Sequence, residues 1–148
     1  EHNMLLAFTG RTRVSDHIIE DQRSRYETGN AEALEGLRAQ KELAERMKIA
    51  LVRGEVDTIG HLLGEAWREK QKMSERITTP LIDEAMRRAL DHGALGGKVT
   101  GAGGGGHMVF ICEFERRHIV AQQLIDLGLT VSEPIFSHDG VTTWRGQN

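Results

Sequence analysis

Cysteine, aromatic residues and long apolar runs are what this sequence has least of. The single cysteine, Cys112, rules out an intrachain disulfide. It lies in the apolar run Met108-Val109-Phe110-Ile111-Cys112 and is expected to be a reduced, buried strand residue of a cytoplasmic protein. Aromatic residues make up only 5% of the chain and no basic stripe interleaves with them, which argues against a nucleic-acid partner. No apolar run approaches the roughly 18 residues a membrane span needs, and no secretory signal opens the chain. Neither charge sign dominates, since the formal net charge is −3 with acids and bases interspersed. The two prolines, Pro80 and Pro134, are placed where a helix starts and where a strand meets an edge or bulge.

What remains is an ordinary globular composition. The chain has 148 residues, 39% hydrophobic and 28% charged, enough for one domain that buries about two thirds of its unfolded surface. Met4–Phe8 reads as a buried strand, followed by a turn that carries Arg11 and Arg13. Ser15 is placed as the N-cap of a first helix, with Val14 and Ile19 as its hydrophobic staple and Gly29-Asn30 as its end. Residues 31–53 form an amphipathic helix with Leu34, Leu37, Ala44, Met47 and Leu51 inward and Gly54 closing it. Asp57 caps the next helix, which sets Ile59, Leu63, Ala66, Trp67, Lys70 and Met73 on one face. Thr79-Pro80 starts a helix that ends at Gly93. Beyond a glycine-rich loop come the strand Met108–Cys112, a helix from about Glu115 to Leu127, and strands at 131–136 and 141–144 joined by an Asp139-Gly140 turn. This order of elements predicts an α+β domain: a four-stranded, largely antiparallel, ferredoxin-like sheet with helices packed on one face.

The chain's organising feature is its glycine run. Seven of the 17 glycines fall between 96 and 106, in Gly96-Gly97-Lys98-Val99-Thr100-Gly101-Ala102-Gly103-Gly104-Gly105-Gly106. Glycine loses the most backbone freedom on folding, so such a density needs a reason. One reason is a backbone of positive φ whose bare N–H groups ring a phosphate or carboxylate, with Lys98 supplying positive charge. The competing reading is a tight structural connection. The order helix, loop, strand excludes a dinucleotide fingerprint, and Val99 after Lys98 excludes a Walker A loop.

The rest of the catalytic vocabulary is sparse. The seven histidines show no helical ligand spacing, so no metal site is assigned. No serine sits in a nucleophile elbow, and Cys112 has no evident base. An anion cradle with Lys98 and the further cations Arg11, Arg13 and Lys70 suits the positioning and charge neutralisation of phosphoryl transfer. No residue qualifies as catalytic base or Mg²⁺ ligand.

The glycine run resembles the third motif of the GHMP small-molecule kinases. Phe8-Thr9-Gly10-Arg11-Thr12-Arg13, Glu65-Ala66-Trp67-Arg68-Glu69-Lys70 and Gly93–Lys98 are similar to the D-glycero-D-manno-heptose 7-phosphate kinase branch. The likeness covers essentially residues 1–148, and His107 departs from it where an apolar residue is commoner. The resemblance implies the C-terminal domain of an ATP- and Mg²⁺-dependent sugar-phosphate kinase that phosphorylates the anomeric hydroxyl. An N-terminal domain outside this chain would supply the main ATP loop and the catalytic carboxylate, leaving this domain inactive alone. Gly96, Gly97 and Lys98 would belong to the same ATP- and substrate-phosphate loop as Gly101, Ala102, Gly103, Gly104, Gly105 and Gly106, and residues 101–106 would help form the phosphate end of the interdomain cleft. Lys98, with Arg13 and Lys70, would meet the substrate phosphate. The start at Glu1, without an initiator methionine, fits that division. A homodimer is compatible with it. The alternatives are a galactokinase, fucokinase or mevalonate kinase type, or a stand-alone anion-binding module.

Overall fold

The computed structural model describes residues 1–11 and 16–144. Arg13, Val14 and Ser15, and with them the expected staple and cap, lie outside the described residues. Strand β1 (Met4–Phe8) leads through four helices, α1 (Asp16–Glu27), α2 (Ala31–Arg53), α3 (Val56–Gln71) and α4 (Pro80–Asp91), to β2 (Ala94–Val99) and β3 (His107–Cys112). A 3-10 turn at Phe114–Arg116, helix α5 (Arg117–Asp126) and β4 (Thr130–Ser132) complete the order.

Every pairing in the sheet is antiparallel, and the strand order is β2-β3-β1-β4. β3 therefore inserts between β1 and β2, and β1 between β3 and β4, which is the ferredoxin-like arrangement expected from the element order. Ile111 is buried on one face of the sheet, against Gly60 of α3, while Leu5 opposite Phe110 and Ala7 opposite Met108 place these four buried side chains on the other. Ile82, Ala85, Met86 and Ala89 of α4 and Val120 and Leu124 of α5 close over that face as the main core. Amphipathic spacing on α4, with the single pair Val120 and Leu124 from α5, builds the core, and the sheet's central strands supply its floor.

Two strands differ from expectation. Gly96, Gly97 and Lys98 belong not to the loop but to β2, paired with Ile111, Phe110 and Val109. Three consecutive glycine-rich positions carry no strand propensity, so the strand exists by tertiary pairing alone. A Cβ at Gly96 would stand 2.0 Å from the Gly60 carbonyl oxygen on α3, and one at Gly97 would stand 2.4 Å from the Phe110 ring. These glycines are explained by close approach of helix and ring. At the other end, β4 stops at Ser132; residues 133–144 have no regular secondary structure and form no hairpin. Among the described residues no strand pairs with them.

The inward face of α2 also shifts by one position. Ala33, Gly36, Leu43 and Ala50 are buried, while Leu37 and Leu51 are exposed. A Cβ on Gly36 would stand 2.6 Å from the Glu69 carbonyl oxygen, so α2 and α3 approach through small residues. Asp57 is inside α3, whose N-cap is Glu55, without a side-chain capping bond. Thr79 caps α4 as expected: its Oγ1 accepts from the Ile82 N–H at 3.3 Å, with Pro80 at the first helical turn.

Candidate functional site

The loop between β2 and β3 is pinned at both ends before it can present anything. At its base, the Thr100 N–H and hydroxyl both donate to the His107 carbonyl, at 2.8 and 3.1 Å. Farther along, the Gly104 N–H donates to the Ile77 carbonyl at 2.6 Å and the Gly106 N–H to the Arg11 carbonyl at 2.8 Å. The Gly106 carbonyl accepts from the N–H and hydroxyl of Thr9, at 2.9 and 3.0 Å. The loop thus lies across the end of β1 and the α3–α4 connector. A Cβ at Gly103 would stand 2.9 Å from the Ile77 carbonyl oxygen, so part of the glycine requirement is this seating.

Three of the loop's N–H groups, those of Thr100, Gly104 and Gly106, are therefore spent on the fold. Those of Gly101, Ala102, Gly103 and Gly105 have no hydrogen-bond partner among the described residues. Of these four, only Gly105 lines the neighbouring cleft of ≈ 310 Å³, whose other walls are Gly104, Thr9, Arg11 and the first turn of α4, Thr79 to Ile82. The free end of a 12-residue helix carries partial positive charge and favours an anion. Its combination with the loop and Arg11 gives the cleft a positive lining from three separate elements.

The remaining cations meet the loop on its other shoulder. Lys70, on the last turn of α3, donates to the Gly101 carbonyl. Half-burial, and then the charge of Lys98, push the Lys70 ammonium below its ordinary pKa. Burial lowers that of Lys98 as well. Neither has a carboxylate within ion-pair distance among the described residues. Two adjacent half-buried ammonium groups without a counter-ion are unfavourable until an anion joins them. Lys70 does not simply follow Trp67: that ring is buried in the core while the lysine turns back to the loop.

Of the expected site residues, the structure brings together Gly101 to Gly106, Lys98 and Lys70, and moves Gly96 and Gly97 into a packing role. It adds Thr9 and Thr79 to Ile82. The capping signal of Thr79-Pro80 was visible in the sequence, but only the fold sets that helix end beside the loop. No group of three His, Cys, Asp or Glu side chains able to hold a metal occurs among the described residues. A larger cleft, ≈ 620 Å³, lies between α3 and α4 over Gly97. Among its cations, Arg87 is already paired with Glu84 and Asp91, and none of the residues 100–106 reaches it, so the smaller cleft is the candidate site.

Residues 47–128 match the family model described as GHMP kinases C terminal. The chain belongs to that family. It is 32% identical over 98% of its length to the D-glycero-alpha-D-manno-heptose 7-phosphate kinase of Campylobacter jejuni, and spans 42% of that protein. Among solved structures, a Lin0012 protein from Listeria innocua superposes with a TM-score of 0.81 at 17% identity, covering 88% of this chain and 38% of that one. The phosphomevalonate kinase of Streptococcus pneumoniae, solved with phosphomevalonate and AMPPNP, gives a TM-score of 0.72 at 22% identity over 86% of this chain and 37% of its own. These neighbours share the fold of this GHMP kinase domain. No helix among the described residues is long and apolar enough to cross a membrane.

Proposed function

We propose that the chain is the C-terminal domain of an ATP-dependent sugar-phosphate kinase acting on D-glycero-D-manno-heptose 7-phosphate at its anomeric hydroxyl. The observation that carries this reading is the 32% identity to a heptose 7-phosphate kinase, which extends over 98% of the chain. The site supports it physically. The unpartnered Gly105 N–H, a helix N-terminus and Arg11 suit the phosphates of ATP on one shoulder of the loop. On the other, Lys98 and Lys70 suit the phosphate the substrate already carries. An N-terminal domain then brings the main nucleotide loop and the catalytic carboxylate, and the active site lies between the two.

The residues present fit ATP phosphates, and among the described residues no group of three His, Cys, Asp or Glu side chains could hold a metal, so the Mg²⁺ ligands are assigned to the nucleotide and the N-terminal domain. Bound Mg²⁺ would neutralise charge on the transferring phosphoryl group. This chain's own part is to orient that group, hold the acceptor's phosphate and keep water from the gap between domains. Arg13 belongs to the same proposal, as a cation next to the Arg11 turn.

The deciding experiment is a substrate screen on the full-length protein with ATP, comparing D-glycero-D-manno-heptose 7-phosphate with galactose, fucose and mevalonate. The expected result is a kcat/KM for the heptose phosphate at least about tenfold above the others, a difference of ~1.4 kcal/mol in transition-state binding. Preference for an unphosphorylated sugar would overturn the substrate assignment and the role given to Lys98.

A further inference from the structure

The segment after β4 is unlike any other part of the chain. Residues 133–144 carry Ile135, Phe136, Val141 and Trp144, and all four are exposed, Val141 at 97%, Ile135 at 88% and Trp144 at 85%. Exposed apolar residues elsewhere stand on helices or beside the 3-10 turn; here they cluster on a stretch that has no regular structure. They fall in two short β-type runs, Ile135-Phe136 and Val141–Trp144, with no strand beside them among the described residues. Among the described residues, the segment's one backbone tie to a distant part of the chain is the Phe136 N–H, which donates to Glu1 Oε1 at 2.5 Å. The segment therefore lies where any polypeptide preceding Glu1 would enter the domain. The family model ends at residue 128, yet the similarity to the heptose 7-phosphate kinase covers 98% of the chain and so reaches into this segment.

We propose that residues 133–144 are a docking arm that lays its two β-runs against a sheet edge of the N-terminal domain. This rests on the reading above, in which such a domain precedes the chain. Main-chain hydrogen bonds to an open edge would give the arm its hold, and burial of Phe136, Val141 and Trp144 would fix its register. In that reading the occupant is the N-terminal domain of the same molecule rather than a second copy, because the tie to Glu1 holds the arm near the end by which such a domain would be joined, where effective concentration would be high. The arm would set the angle between the two domains and hence the width of the cleft beside the glycine loop.

Hydrogen exchange on the full-length kinase, read peptide by peptide, tests this. Amides of residues 133–144 should exchange roughly 100-fold or more slowly than unstructured chain. The double variant Val141→Asp/Trp144→Asp should abolish that protection and lower the Tm by several degrees, about the shift one lost apolar contact produces in a domain of this size. Both side chains are solvent-exposed within this domain, so the substitutions should leave the β3 amides protected. Exchange at the unstructured rate in the full-length protein would overturn the arm. So would protection that disappears on dilution, which would identify a second copy as the occupant. Activity of the same sample separates the two readings. Phosphorylation with a freely exchanging arm sinks only the arm; a protected arm without sugar phosphorylation sinks only the proposed function.

Discussion

At the scale of single residues, the glycines of the loop are not equivalent, and their differences are measurable. Gly101 has φ +71 with open space around its Cβ position, whereas Gly104 is buried, has φ +75 and donates to Ile77. Gly101→Ala should therefore cost only the left-handed backbone penalty of about 1–2 kcal/mol, visible in urea denaturation of the full-length protein. Gly104→Val should lose both activity and stability, since a β-branched residue cannot take that backbone angle without dislodging the bond to Ile77. If Gly104→Val inactivates the enzyme with its denaturation midpoint unchanged, the seating of the loop on Ile77 is wrongly weighed. The density of glycine was legible in the sequence, and an anion cradle is the role proposed for part of it. That half of it serves helix packing and loop seating was not, because close approach depends on partners such as Gly60 and Ile77 that lie far along the chain.

The lysines make a second prediction at the same scale. Lys98→Ala should raise KM for the phosphorylated substrate about tenfold or more, as expected for losing a charge-assisted contact of ~1.5–3 kcal/mol, with a smaller effect on kcat. The sign of the pH dependence follows from the lowered pKa values. Both ammonium groups lose their protons below the ordinary 10.5, so KM for the phosphorylated substrate should begin to climb at a lower pH than an ordinary lysine would give. While protonated and empty-handed, the pair disfavours the folded state; that cost is relieved as pH rises through the lowered values toward 10.5. A bound anion reverses the preference. A KM profile that is flat through the alkaline range, in wild type and Lys98→Ala alike, would remove the lysines from the site.

At the scale of elements, the contact between α3 and β2 fixes where the loop begins. Gly96→Ala would set a Cβ 2.0 Å from the Gly60 carbonyl, whereas Gly64→Ala meets nothing closer than the Gly96 Cα at 3.6 Å. The first should destabilise by ~3 kcal/mol or more, since neither backbone can yield; the second should be tolerated. Equal thermal midpoints for the two variants would contradict the helix–strand contact. Helix ends were the elements most legible in the sequence: α2 and the Thr79-Pro80 start of α4 lie where spacing and capping placed them. The buried face of α2 was not legible. Apolar periodicity weights the large residues Leu37 and Leu51, but a close helix pair selects the small ones, Ala33, Gly36 and Ala50. β2 escaped for the related reason that pairing to β3, not propensity, makes Ala94–Val99 a strand.

At the scale of the whole molecule, the domain sets its glycine loop and a small cleft at one end of a closed core. Cys112 reports on that core. It is fully buried, and burial pushes its thiol up to about 12. Its thiol should therefore ignore a thiol reagent at neutral pH while the domain is folded and react once denaturant opens it. That property provides the control for the decisive separation of domains. The 148-residue chain alone, with Cys112 protected and hence its core intact, should transfer no phosphate from ATP to any sugar. It has loop, helix end and lysines, but no carboxylate assigned as base and, among the described residues, no group of three His, Cys, Asp or Glu side chains that could hold a metal. The full-length protein should turn over the heptose phosphate under the same conditions. If the isolated chain proved active with Cys112 still unreactive, the catalytic carboxylate would have to be sought among its own acids, and the division of the active site between two domains would fall.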